Sequence, residues 1–247
     1  MKRRRSGIAA TGEREIEHKS PSGAYRLVVT SHPTGKGTWA YTKGRVYRGD
    51  TLLATVCRNY SPFLFAWVEG HENGNDYLVC GENYQGQTLV NLSNGSKTSF
   101  LPKAAEQGHG FCWAGVSPSP NGKYLMVDGC YWACPFEVVL YDFSEPEKMP
   151  WTEVLRAEGS FKGWSDDGRC ELGVRWEEVD LPGHPLHGKK LEDVTCEQMD
   201  EIEEYATARN VPVDPNTGDR GWVEKWKTHI ICDEVTIVDT ITGTVEM

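Results

Sequence analysis

The sequence predicts an all-β protein of about four four-stranded antiparallel sheets, with a helical insertion in the last of them. Three observations carry this expectation. First, four stretches resemble one another: "PSGAYRLVV" (21–29), "NGNDYLVCG" (73–81), "PNGKYLMVDG" (120–129) and "DDGRCELGV" (166–174). Each is a glycine turn followed by an apolar strand. Second, the aligned glycines, Gly23, Gly74, Gly122 and Gly168, are spaced by 51, 48 and 46 residues. Third, the chain holds nine Trp, ten Tyr and seven Phe, residue types that suit half-buried sheet surfaces. A near-constant period of this size fits one blade of a small β-propeller per repeat.

Each repeat reads as strands A to D, with the glycine turn between A and B. In the first, A is "REIEHKS", B follows Gly23, C is "GRVYR" and D is "TLLATVCR". The second gives "QTLVNL" and "SKTSFL" as C and D around the turn "SNG". The third gives "FCWAGVS", "KYLMVDG", "FEVVLYDF" and "WTEVLRA". Its strand C alternates Glu137, Val139, Tyr141 and Phe143 with Val138, Leu140 and Asp142, the period-2 geometry of a strand. The fourth ends in "VTIVDT", "ITG" and "TVEM". Its interruption, about residues 177–227, contains a helical stretch, 191–210. Thr195 is the expected N-cap, Gln198 its capping-box partner, and Asn210 and Pro212 the stop.

The stretches "SPSPNGKYLMV…VVLYDF" and "GWSDDGR" resemble the propeller repeats of the TolB and tryptophan–aspartate families. Those repeats carry a Pro/Asp-(Asp/Asn)-Gly turn, an aromatic-aliphatic strand, and a strand ending near Asp. The resemblance covers most of residues 13–175 and 228–247. It implies a propeller fold and no particular activity, because propellers host many. The second repeat departs from the turn pattern with "NGND", and no repeat has the full Gly-His…Trp-Asp signature. Four blades is also a low number, so the ring either closes alone as a monomer or is completed by a second copy as a homodimer.

A length of 247 residues suits one β domain, expected over residues 13–247 behind a disordered basic N-terminus at 1–12 that carries "MKRRR". The net charge of -10 repels phosphate backbones, so no nucleic-acid partner is expected. No apolar run reaches membrane-spanning length, and "SGIAATGERE" is not the apolar core of a signal peptide. The expectation is a cytoplasmic protein with no membrane partner. Its eight cysteines then act as reduced, small apolar residues.

Antiparallel order assigns each connection to an end of the sheets. The A–B and C–D turns are short and polar. The B–C and D–A loops at the other end carry Trp39, Tyr41, Tyr84, Tyr131, Trp132 and Trp176, with His32, His109, His184 and His187. Binding residues tend to sit on loops held by a rigid scaffold. The expected binding set is Trp39, Glu82, Tyr84, Asp128, Tyr131, Trp132 and Trp176. The bland alternative is that these aromatics cover blade edges and pack beneath the insertion.

His109 and Cys112 share that end with Cys130 and Cys134, ligand types that suit a structural zinc. The other readings of "GCYWACP" are a Cys130–Cys134 disulfide or a plain turn before strand C. His184, His187 and Asp180 lie in a loop rich in glycine and proline. Asp166 and Asp167 occupy a turn position where Asp bonds its own backbone. No P-loop, Rossmann glycine motif or G-x-S-x-G elbow is present. The expected function is a binding module for a protein, peptide or small polar ligand, with no cofactor besides that zinc. The alternative is a hydrolase or lyase at the mouth of a central channel, with His109, Glu82 and Asp128 as acid and base.

Overall fold

The first four strands form a meander because each glycine or aspartate turn reverses an alternating strand. They are β1 (Arg14–Lys19), β2 (Tyr25–His32), β3 (Tyr41–Arg48) and β4 (Thr51–Arg58), paired in that order and all antiparallel. A second sheet repeats the pattern with β5 (Phe65–Val68), β6 (Tyr77–Cys80), β7 (Gln87–Asn91) and β8 (Lys97–Phe100). After the short helix α1 (Lys103–Glu106) come β9 (Cys112–Pro118), β10 (Tyr124–Cys130), β11 (Glu137–Asp142) and β12 (Glu153–Trp164). Last are β13 (Cys170–Val179), α2 (Cys196–Ala208), β14 (Lys227–Asp239) and β15 (Thr244–Glu246). This computed structural model describes residues 14–132, 134–165, 168–208, 227–239 and 244–246. The expected disordered segment 1–12, Asp166 and Asp167, and the helix stop at Asn210 and Pro212 lie outside them. No described helix is long and apolar enough to cross a membrane.

The protein is all-β in its architecture, and the sheets stack face to face. Strand β6 shows how. All four of its residues are buried. Leu78 and Cys80 pack toward the first sheet with Leu27, Val46 and Val56, while Tyr77 and Val79 pack toward the third with Leu125, Val127 and Phe143. Burial on both faces explains why "YLVC" reads as a continuous apolar run rather than an alternating one. Strand β10 repeats the arrangement, since Met126 points the other way, to Cys170 and Leu172 of β13.

The first sheet differs on its outer face. There Glu15 pairs with Arg45 at 2.7 Å, Glu17 pairs with Arg26 at 3.4 Å, and the Arg26 guanidinium lies over the Tyr47 ring. Apolar clusters link the first sheet to the second, the second to β9–β11, and β10–β11 to β12–β13. The sheets have four, four and seven strands, and no closed ring is shown among the described residues.

Two expectations need correction. The third repeat was expected to end before a separate strand A of the fourth. Instead β12 is one strand of 12 residues. Its first half pairs with β11 and its second half with β13, so β9 to β15 form one seven-stranded sheet. Gly159, at φ 150°, sits at the changeover, a conformation open to glycine. The segment 191–210 is also not one helix. Leu191–Asp193 is a 3-10 turn and Val194 is extended, so α2 starts at Cys196. Thr195 caps it in the expected reciprocal way: Gln198 N–H donates to Thr195 Oγ1 (3.3 Å), and Thr195 N–H donates to Gln198 Oε1 (3.2 Å). Ile202 and Ala206 then pack on Val179 and Leu181.

Candidate functional site

The connections at one end of the stack are long enough to hold side chains away from the sheets. The loop 33–40 braces itself: Thr34 donates to the Trp39 carbonyl (2.6 Å) and Thr38 to the Gly35 carbonyl (2.9 Å). The loop after β6 is tied to both neighbouring sheets. Tyr84 N–H donates to Asn59 Oδ1 (3.1 Å), and Trp113 N–H donates to the Tyr84 carbonyl (3.0 Å). These bonds fix the rings that the loops carry.

Four rings meet there. Trp39 lies 4.9 Å from Tyr60 and 6.3 Å from Trp132, between ring centroids. Tyr84 lies 5.1 Å from Tyr60 and 6.2 Å from Trp132, and Trp132 Nε1–H donates to the Tyr84 hydroxyl (3.3 Å). Trp39 and Trp132 remain 66% and 54% exposed, and Phe136 beside them 55%. Large apolar groups left in water together mark a binding surface more than a core. Tyr60, Tyr84, Trp132 and Phe136 border a cleft of about 240 Å³, lined also by Arg58, Leu64, Trp113 and Cys112.

The expected site residues thus divide. Trp39, Tyr84 and Trp132 come together. Tyr131 turns aside: it packs edge-on against Phe111 (5.4 Å), and Arg156 lies over both rings. Arg156 is held by Glu137 (2.5 Å) and Glu153 (2.7 Å), and those carboxylates raise its pKa. Glu82 is taken up by Lys97, and accepts a bond from Ser99 (3.0 Å), on the side facing the first sheet. Asp128 accepts from Phe161 N–H (3.2 Å), in the gap between β10 and β12. Burial raises its pKa, and the Phe161 bond lowers it by less. His109 is exposed. The three expected acid–base groups therefore occupy different places and share no site. The Trp176 side chain lies outside the described ones.

Of the cysteine–histidine set, His109 is exposed and Cys112 and Cys130 are half-buried. Cys112 and Cys130 face each other across β9 and β10, but Cys134 is exposed. Among the described residues no group of three or more His, Cys, Asp or Glu side chains is placed to hold a metal ion. Cys130 and Cys134 are not joined in this structure. Burial raises the Cys130 pKa, with smaller contributions from Cys112, Cys134 and Glu137. His184 accepts from Leu186 N–H (3.1 Å) and meets the Tyr205 ring, as a loop residue packed under α2. His32 stacks on Tyr41 (4.8 Å).

Sequence reasoning missed Arg58, Tyr60 and Phe136. Arg58 and Tyr60 sit in "CRNYSP", the D–A connection between the first two repeats, which answers to the loop carrying His109 in the next. Extending the repeat to that connection was the available signal.

No protein-family model matches the chain. A protein of Acanthamoeba polyphaga mimivirus, described as uncharacterized, is 36% identical over 140 residues, which is 56% of this chain and 54% of that protein. The chain thus spans about half the length of the curated relative it matches.

Proposed function

We propose that this chain is a binding module whose ligand enters the aromatic cleft at the loop-bearing end of a propeller-like stack of sheets. One observation carries the reading: Trp39, Tyr60, Tyr84 and Trp132 converge from four connections while two of the four stay mostly exposed. Rigid aromatics on braced loops supply contact area at low entropic cost, the usual makeup of a binding hot spot. A cleft of about 240 Å³ suits a small ligand or a single side chain of a peptide. The separation of Glu82, Asp128 and His109 weighs against the hydrolase or lyase alternative. The repeat period and face-to-face stacking support blades of a propeller.

The test is a ligand-observed NMR screen of ring-bearing fragments against the full chain. Binders should lose about tenfold or more in affinity in Trp132→Ala, with no change in unfolding midpoint. Fragments that bind the variant as well as the wild type would remove this site from consideration.

A further inference from the structure

Aromatic contact leaves one part of the cleft unexplained. Arg58 is only 3% exposed, yet its charge has no opposite partner. Its Nε donates to the Pro62 carbonyl (3.0 Å) and its Nη1 to the Gly81 carbonyl (3.0 Å), both neutral groups. Among the described residues it makes no ion pair. The ionisable groups that act on it are Cys80 and Tyr60, neither of them a carboxylate. Burial lowers the Arg58 pKa, with Cys80 and Tyr60 acting the other way. Burial also pushes the Cys80 thiol up to about 12, so it stays protonated at neutral pH.

An unpaired guanidinium is among the most costly groups to bury, and it does not escape by losing its proton. The fold nevertheless makes room for it. A Cβ on Gly81 would lie 2.9 Å from Arg58 Nη1, so a larger residue would push the guanidinium out. Its third nitrogen, Nη2, has no acceptor among the described residues. Arg58 is one of the residues that line the cleft.

Building on the binding reading above, we propose that Arg58 anchors the carboxylate of a small, ring-bearing organic acid whose apolar body lies against Tyr60, Tyr84, Trp113, Trp132 and Phe136. Charge matching selects the anion. One guanidinium neutralises one negative charge; a phosphate dianion would carry a surplus charge into an apolar cleft. Size selects the body, since about 240 Å³ is below the usual range of ligand pockets and admits one or two fused rings. The chain's net charge of -10 repels anions at long range, so recognition is short-range and rests on this single buried cation.

The experiment is isothermal titration calorimetry on the full chain with three probes on one naphthyl body: 1-naphthoate, its planar isostere 1-naphthamide, and 1-naphthyl phosphate. The expected order places the carboxylate about tenfold or more ahead of the amide, as for a hydrogen bond to a charged group. The phosphate should be weaker than the carboxylate. In Arg58→Met the carboxylate should fall to the affinity of the amide. Arg58→Lys keeps the charge but lacks the planar fork, and should retain part of the preference. The comparison of acid with amide in the wild type needs no variant, so it stands even if Arg58→Met does not fold. Equal affinity for acid and amide would overturn the anionic ligand and leave the aromatic cleft as a neutral binding site. Tighter binding of the phosphate would overturn the charge matching. Binding of none of the three at millimolar concentration would overturn the organic acid, and the fragment screen would then decide whether the cleft binds anything.

Discussion

The glycines of the repeat turns and the glycines beside the cleft serve different purposes. At the turn end, Gly23, Gly74, Gly122 and Gly168 have φ of 76°, 81°, 71° and 82°. At Gly23, Gly74 and Gly168 an added Cβ would meet nothing within 4 Å. These glycines supply a left-handed backbone. At the loop end, Gly81, Gly86 and Gly110 have no such conformation, yet an added Cβ would come within 2.7–2.9 Å of neighbouring atoms. They supply space. Both ends are tied across sheets by hydrogen bonds. At the turn end Tyr25 donates to Asp76 (2.8 Å), Arg48 to the Leu92 carbonyl, and Asn91 to Glu147 (2.6 Å). At the loop end Arg58 donates to the Gly81 carbonyl (3.0 Å) and Tyr84 N–H to Asn59 Oδ1 (3.1 Å). The ends differ in what these glycines supply.

The largest effect expected from this contrast is at Gly81. Its Cβ would lie 2.7 Å from the Asn83 carbonyl oxygen and 2.9 Å from that of Gly86, backbone atoms that cannot swing away. Gly81→Ala should cost about 3 kcal/mol as an overpacked site, read from urea unfolding midpoints. A loss near zero would mean that the loop end is looser than its contacts imply. Next comes Gly74→Ala. It meets no steric obstacle, so only the left-handed conformation is penalised, by about 1 kcal/mol. Should Gly74→Ala prove the more damaging of the two, the division between conformation and space would be wrong.

The smallest effect concerns carboxylates. At the turn end Asp76 is fully used, accepting from Gly70 N–H (2.7 Å) and the Tyr25 hydroxyl. Asp128 at the other end accepts from Phe161 N–H alone among the described residues, and burial raises its pKa. A carboxyl whose pKa is higher in the folded state holds its proton more tightly there. Its contribution is fully present below the unfolded pKa and is lost as pH rises through the folded one. Asp128→Asn should therefore stabilise the protein slightly at neutral pH, by roughly less than 1 kcal/mol after solvent screening. The gain should shrink as pH is lowered toward the ordinary Asp range. Matched unfolding midpoints at neutral and acid pH measure it; a gain that grows on acidification would reverse the assignment.

How much was legible can be followed residue by residue. The turn glycines, the strands around them and the Thr195–Gln198 cap depend on chemistry within a few residues, and each is readable along the chain. The break between the third and fourth repeats was not. "EVLRAEGSFKGW" contains no proline, and whether Gly159 ends a strand or bends it depends on the two partners that flank it. Trp39, Tyr84 and Trp132 could be assigned to one end because topology sends their loops there. Tyr131 lies in the same loop as Trp132, but its direction is decided by Phe111 and Arg156. Glu82 and Asp128 also lie near that end, but Lys97 and Ser99 hold the first while Phe161 N–H holds the second.

The all-β class, the repeat and the asymmetry of the two ends are readable along the chain, because turns and alternation are local properties of the backbone. What the loop end contains follows from packing. Arg58 and Tyr84 are 26 residues apart, and Arg58 and Trp132 are 74 apart. Neither spacing marks a site. The unpaired guanidinium, the close approach at Gly81 and the ring of aromatics exist because stacking the sheets removes Arg58 from water while leaving the cleft open above it.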